Sequence, residues 1–281
     1  MVHFLPFQTL KTFPRNELHG KVIMVRFDSR LCPRDDQFGI QYPNKNATNT
    51  LKYLCNAGAK VVVVTHSVSL KKNSSKDQYT LLVADYLSVC LEKKVVAAEG
   101  VTGHKVECSI SKLENGDILL LGNLSLYREE AANCMDFARN LSAKIDILVN
   151  DSFSESHRVL ASTVGVARFT YARIAGFHLT EMLSLFAETL QKPKHPFIVI
   201  MGGAKILEKR DALHSLLHIC DKLVFVGSMA FTCLSALGLS VSPRLVEKHA
   251  LGEAMQLLDI AKAKGVEVLL PKDFWCSNDA Q

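Results

Sequence analysis

The chain has 281 residues, 48% of them hydrophobic and 22% charged, a globular balance that excludes a disordered polypeptide. That length predicts one large or two modest domains, with a core that needs no disulfide or metal staple. The net charge of +5, from 33 basic and 28 acidic residues, is too mild and too dispersed for a nucleic-acid partner; it suits a protein that holds anionic metabolites.

No apolar run reaches the roughly 18 to 20 residues of a membrane span. The first 15 residues lack the continuous apolar segment of a secretory signal. The eight cysteines, at 32, 55, 90, 108, 134, 220, 233 and 276, lie far apart without a C-x-x-C pair. Such spacing fits neither a zinc site nor a disulfide scaffold, and predicts reduced thiols in a cytoplasmic protein.

Strands are predicted where short Val/Ile/Leu runs recur. These are 22–25, 61–64, weakly 95–98, 118–121 and 145–149, and then 197–200, 223–226 and 266–270. Continuous apolar runs suit strands covered on both faces, as in a parallel sheet. Helical patterns fill the gaps at 47–57, 81–91, 135–142, 207–218, 230–237 and 250–264. Gly58 and Gly265 follow two of them, where a left-handed C-cap is expected. The alternation predicts an α/β fold with right-handed crossovers.

After Val149 the alternation pauses. An irregular stretch, a lone helical segment at 179–190 and Lys192-Pro193-Lys194-His195-Pro196 mark a boundary between two sheets. The expected organisation is a domain at 1–178, a linking helix and hinge at 179–195, and a second domain at 196–281. Five strands fall in the first and three in the second. Three strands leave an uncovered face and an unpaired edge, so the second domain reads as incomplete.

Ligands of open α/β sheets bind beyond the carboxyl ends of strands. The first strand run leads into Arg26-Phe27-Asp28-Ser29-Arg30, the second into Thr65-His66-Ser67, and the fifth into Asn150-Asp151-Ser152-Phe153 with His157-Arg158. Asp28, His66, His157 and Arg158 therefore converge on one rim as a cradle for a small anion. In the second part, Met201-Gly202-Gly203-Ala204-Lys205 follows a strand, with Lys209 four residues beyond Lys205. Glycines allow close backbone approach, a helix N-terminus offers free N–H groups to phosphate, and lysines four apart share a helix face. The turn matches neither G-x-x-x-x-G-K-[ST] nor G-x-G-x-x-G. Val226-Gly227-Ser228-Met229 closes the next strand similarly, as a neighbouring wall.

These blocks, in this order, resemble the phosphoglycerate kinase family over nearly the whole chain. Arg26-Phe27-Asp28 is similar to the family's first-strand Arg-Val-Asp. The segment Asn150-Asp151-Ser152-Phe153, His157-Arg158 and Ala161-Ser162-Thr163-Val164-Gly165 resembles its Asn-Asp-Ala-Phe, His-Arg and Ser-Thr-Val-Gly block. Ala175-Gly176-Phe177 resembles the entry to its interdomain helix. Pro193-Lys194-His195-Pro196-Phe197, Gly202-Gly203-Ala204-Lys205 and Met229-Ala230-Phe231-Thr232 complete the series.

The resemblance implies two doubly wound parallel-sheet α/β domains joined by a helical hinge. It implies 3-phosphoglycerate on the first domain and Mg-ATP or Mg-ADP on the second, with phosphoryl transfer on hinge closure. Carried over, Asp28, His66 and Arg158 contact the phosphoglycerate and His157 supports that rim. Gly202, Gly203, Ala204, Lys205 and Lys209 hold nucleotide phosphates, Lys205 stabilises the transferring group, and Gly227 and Ser228 lie against the adenine end. A monomer is expected, with no nucleic acid, no membrane and no metal ligand before Gln281.

Departures from the family are specific. Arg30 stands for its Asn. His66-Ser67-Val68-Ser69-Leu70 stands for His-Leu-Gly-Arg-Pro, and Gly122-Asn123-Leu124-Ser125-Leu126 for Glu-Asn-Val-Arg-Phe. Tyr42-Pro43-Asn44-Lys45 carries no arginine where the family has one, and Val226-Gly227-Ser228 replaces its triple glycine. Arginine grips phosphate through a fork that lysine lacks, at roughly 1.5–3 kcal/mol per charge-assisted bond. The family's metal-handling segment corresponds to sequence beyond Gln281. Two readings follow: a phosphoglycerate kinase, or an inactive homologue serving as a nucleotide-binding or interaction module. A nicotinamide-dependent oxidoreductase fails for want of the glycine fingerprint.

Overall fold

A computed structural model describes residues 7–28, 48–66 and 76–274. The chain divides into two compact units, Met1–Leu185 and Phe186–Gln281.

The first unit is built on a six-stranded parallel sheet in the order β3-β4-β2-β1-β5-β6. Its strands are β1 (Val22–Phe27), β2 (Lys60–Thr65), β3 (Val95–Ala97), β4 (Ile118–Asn123), β5 (Ile147–Asn150) and β6 (Ala172–Ala175). Helices α1 (Asn49–Asn56), α2 (Lys76–Leu91), α3 (His104–Ser111), α4 (Arg128–Ala131) and α5 (Met135–Leu141) connect them, and α6 (Phe177–Gln191) follows β6. Because side chains alternate along a strand, each apolar run feeds two cores. Ile23, Val25, Phe27, Val61 and Val63 pack with Leu51, Leu54 and Leu87 on one face. Met24, Val62 and Val64 pack with Val106, Ile110 and Leu141 on the other. Burial on both faces explains why the runs read as continuous rather than alternating.

The sequence reading placed five strands here; the described residues form six. β6 is only four residues long and includes Arg173, so no Val/Ile/Leu run announces it, yet it pairs with β5 from Ile147–Ala172 to Asn150–Ala175. Helix α3 was likewise not anticipated, because its only buried side chains are Val106 and Ile110.

The second unit holds a parallel three-stranded sheet, β7 (Ile198–Gly202), β8 (Lys222–Val226) and β9 (Glu267–Leu269), in the order β7-β8-β9. Helices α7 (Arg210–Leu216), α8 (Ser228–Ala236) and α9 (Leu251–Lys264) accompany it. Val199, Leu223 and Phe225 pack with Leu213, Leu217, Met229 and Leu257 in a single core. The opposite face carries Ile198, Ile200, Val226 and Leu269, of which Ile200 is 69% exposed. Parallel sheets are normally covered on both sides, and this one, among the described residues, is covered on one. The chain after α9 turns at Gly265, a left-handed C-cap with φ 72°, and Gly58 after α1 has φ 75°.

Candidate active site

Strand order places the first cluster. β1 is flanked by β2 and β5, with Phe27 opposite Thr65 and Arg26 opposite both Val64 and Asn150. The residues that follow, Asp28, His66 and Asp151, therefore emerge side by side at the sheet's carboxyl edge. Connections leave β1 toward β2 on one side while β5 and β6 lie on the other, which is where an open α/β sheet forms its crevice.

The 3₁₀ turn Phe153–Glu155 after β5 brings further groups to this edge. Ser154 Oγ donates to Asp28 Oδ2 at 2.5 Å. Arg158 Nη1 donates to Glu155 Oε2 at 2.8 Å and lies 3.3 Å from His66 Nε2. A guanidinium can only donate, so Nε2 of a neutral His66 is the acceptor and its Nδ1 carries the proton. That nitrogen faces Glu130 Oε1 at 3.7 Å. Glu130 is completely buried and accepts from Ser162 N at 3.0 Å and from Ser162 Oγ at 2.6 Å. The same hydroxyl accepts from Arg26 Nε at 2.9 Å. Arg26 is 1% exposed, and its Nη1 and Nη2 have no hydrogen-bond partner among the described residues. Burial lowers the Arg26 pKa, opposed by the carboxylates of Glu130, Glu155 and Asp28.

Asp28, His66 and Arg158 are thus brought together. His157 lines a cavity of about 590 Å³ together with Asn150, Arg173, Leu179 and Ser154, the residue whose hydroxyl holds Asp28. Asn150 and Asp151 serve the fold: Asn150 Oδ1 accepts from Ser152 N, and the buried Asp151 carboxyl accepts from Leu179 N at 3.2 Å. Where the family carries an arginine, Ser125 N–H caps onto Asn123 at 3.1 Å. Arg30, Lys45 and the segment from Ser67 to Leu70 lie outside the described residues. Sequence reasoning missed Glu130, Glu155 and Ser162. Glu130 and Glu155 lie away from a strand end and carried no signal of their own, while Ser162 was named only as part of the Ala161–Gly165 segment, without a role.

In the second unit Gly202 ends β7, and a Cβ on it would meet Val226 Cγ2 at 2.8 Å. Gly203 has φ 133°, a conformation that side-chain-bearing residues rarely adopt, and Lys209 Cε lies 3.0 Å from where its Cβ would stand. Its carbonyl accepts from Met229 N at 2.9 Å and Ser228 Oγ at 3.1 Å, tying this turn to the start of α8. Gly227 has open space where a Cβ would project.

Two expectations are corrected here. Lys205 and Lys209 do not share a helix face: Ala204 and Lys205 precede the 3₁₀ turn Leu207–Lys209, and α7 begins only at Arg210. Nor are the N–H groups of that turn all free, because Ile206 N donates to Glu247 Oε2 at 2.6 Å. Lys205 Nζ pairs with Glu208 Oε1 at 2.8 Å on the exposed surface. Beyond the carboxyl ends of β8 and β9, an apolar cavity of about 720 Å³ is lined by Phe231, Leu234, Leu245, Leu270 and Phe274. The rings of Phe231 and Phe274 stack at 4.4 Å.

The family model for phosphoglycerate kinase matches residues 14–281, nearly the whole chain. The chain belongs to the phosphoglycerate kinase family. It is 38% identical over 272 residues to phosphoglycerate kinase from Prochlorococcus marinus (strain MIT 9515), covering 96% of this chain and 68% of that one. It is 38% identical over 260 residues to the chloroplastic phosphoglycerate kinase of Volvox carteri, covering 92% of this chain and 56% of that one. Among solved structures, that of phosphoglycerate kinase from Coxiella burnetii matches with TM-score 0.70 and 27% identity, over 95% of this chain and 66% of that one. The crystal structure of phosphoglycerate kinase from Pyrococcus horikoshii OT3 matches with TM-score 0.77 and 25% identity, over 94% and 67%. The chain thus spans between about half and two thirds of the length of these family members. No helix among the described residues is long and apolar enough to cross a membrane.

Proposed function

We propose that this chain works as a phosphoglycerate kinase-type phosphotransferase, moving the terminal phosphoryl group between ATP and 3-phosphoglycerate. The observation that carries the reading is the meeting of Asp28, His66 and Arg158 at the carboxyl edge of β2-β1-β5, with Arg158 Nη1 3.3 Å from His66 Nε2. Asp28 accepts hydrogen bonds from the substrate hydroxyl, and Arg158 with His66 receives its anionic end. In the second unit, Gly203 and Lys209 receive the nucleotide phosphates, Lys205 neutralises charge on the transferring group, and Gly227 leaves room for close approach. The adenine ring enters the apolar cavity beside Phe231.

In the reaction a carboxylate oxygen of 3-phosphoglycerate bonds to the terminal phosphorus while the bond from that phosphorus to the bridging oxygen breaks, releasing ADP. Such a step asks the protein for position and charge rather than covalent chemistry. Magnesium accompanies the nucleotide in this family. The described residues contain no group of three or more His, Cys, Asp or Glu fit to hold a metal.

A coupled assay of ADP release, dependent on 3-phosphoglycerate, tests the proposal. Turnover that Arg158→Ala abolishes supports it; absence of turnover at millimolar substrates rejects it. One observation favours the second reading, a binding module without turnover. Two of the basic groups offered to phosphate already have carboxylate partners, Arg158 with Glu155 and Lys205 with Glu208. Calorimetry with ATP then separates a nucleotide-binding module from an interaction module.

A further inference from the structure

We infer that Glu155 determines the specificity of the Asp28–His66–Arg158 rim, as an internal carboxylate occupying the place on Arg158 that a ligand's anionic group would take. The inference rests on reading that rim as an anion site, and adds to it a built-in competitor.

The pairing is local and preorganised. Glu155 closes the 3₁₀ turn Phe153–Glu155, and Arg158 N donates to Glu155 O at 3.0 Å, so the two side chains are held three residues apart on one turn. Arg158 Nη1 donates to Glu155 Oε2 at 2.8 Å. The Glu155 side chain is 4% exposed and that of Arg158 37%. Exposed pairs at this spacing contribute little, but a buried carboxylate cannot be rehydrated in place when its cation is drawn away. A phosphate or carboxylate arriving at Arg158 needs the same N–H directions that Glu155 uses.

Charge bookkeeping points the same way. Around the cluster, Arg26 and Arg158 supply two positive charges, while Asp28, Glu130 and Glu155 supply three negative ones. With His66 neutral, the described cluster carries a net charge of −1. Its carboxylates have different duties. Asp28 is held by Ser154 and Glu130 by Ser162, whereas Glu155 takes the guanidinium directly. A multiply charged anion such as a phosphorylated hydroxy acid therefore meets a rim already satisfied from within. Neutralising Glu155 brings the cluster to zero charge and frees one fork of Arg158.

The test is Glu155→Gln, which keeps shape and removes charge, with Glu155→Ser as a second variant should Gln disturb the fold. Each protein is titrated with 3-phosphoglycerate and separately with inorganic phosphate by calorimetry, while the His66 imidazole signals are followed by NMR. The variants are expected to bind 3-phosphoglycerate about tenfold more tightly than the parent, the size of one recovered charge-assisted contact. A smaller gain is expected for inorganic phosphate, which lacks the hydroxyl that Asp28 would accept. Equal or weaker affinity in the variants, with His66 still responding to the anion, overturns the role of Glu155 and leaves the rim standing. No response at His66 in any of the proteins overturns the rim itself, and the inference with it.

Discussion

Asp151 offers a measurement that isolates one buried charge. Its carboxyl group lies at the end of β5, is 2% exposed, and accepts the Leu179 amide at the start of α6. Burial pushes its pKa from the ordinary 3.8 up to about 6, against hydrogen bonds from Thr50 and Leu179 that pull the other way. An acid held above its unfolded value binds its proton more tightly in the folded state. Its contribution therefore favours folding most below pH 3.8, fades as pH rises through about 6, and is gone above that. The rise corresponds to about 3 kcal/mol at 1.36 kcal/mol per pK unit.

Asp151→Asn removes the titration while keeping an acceptor for Leu179. Other groups titrate too, so the quantity to follow is the stability difference between variant and parent. Native-state hydrogen exchange at the Val25, Val63 and Val149 amides, from pH 4 to 7.5, reports on the unit that contains Asp151. The variant should gain on the parent by about 2 kcal/mol across that range, most of it between pH 4 and 6. Parallel curves would refute the reasoning, as would a parent that gains on the variant as pH rises.

Leu54→Ala, at a fully buried site in the first core, should cost about 2–5 kcal/mol in urea unfolding. Ile200→Lys, on the open face of β7, should cost under about 0.5 kcal/mol; equal losses would mean that face is covered. Gly203→Ala puts a methyl 3.0 Å from Lys209 Cε at φ 133°, and Lys209→Ala removes the cation. Both should weaken nucleotide binding in calorimetry about tenfold or more, and unchanged affinity would make that turn purely structural. Burial pushes the Cys55 thiol up to about 11 and the Cys233 thiol up to about 12. Iodoacetamide at pH 8 should therefore modify exposed Cys108 while sparing Cys55 and Cys233 until urea unfolds the chain, read by peptide mass.

How much of the site could be read in advance follows from where each residue sits. Asp28 and His66 come directly after apolar runs that are buried on both faces, so their position at the sheet edge follows from the text. Arg158 follows the fifth apolar run by nine residues, within the turn that begins at Asn150. Glu130 gave no such signal. It lies on α4, four residues long, and its partner Ser162 is 32 positions away, brought near only when β5 packs beside β1. The lysine pair shows the opposite error. Spacing of four suggested one helix face, but the Gly203 conformation and the Glu247 carboxylate delay the helix to Arg210.

Residue order alone determined the α/β alternation, the two sheets and the uncovered side of the second one, because hydrophobic period and turn residues act over a few neighbours. Tertiary packing decided the rest. It added β6, whose short polar-containing segment is a strand only because β5 offers a ladder. It also decided which charges act on which, since the pull of Glu130 on the Arg26 guanidinium depends on a distance that no local pattern encodes.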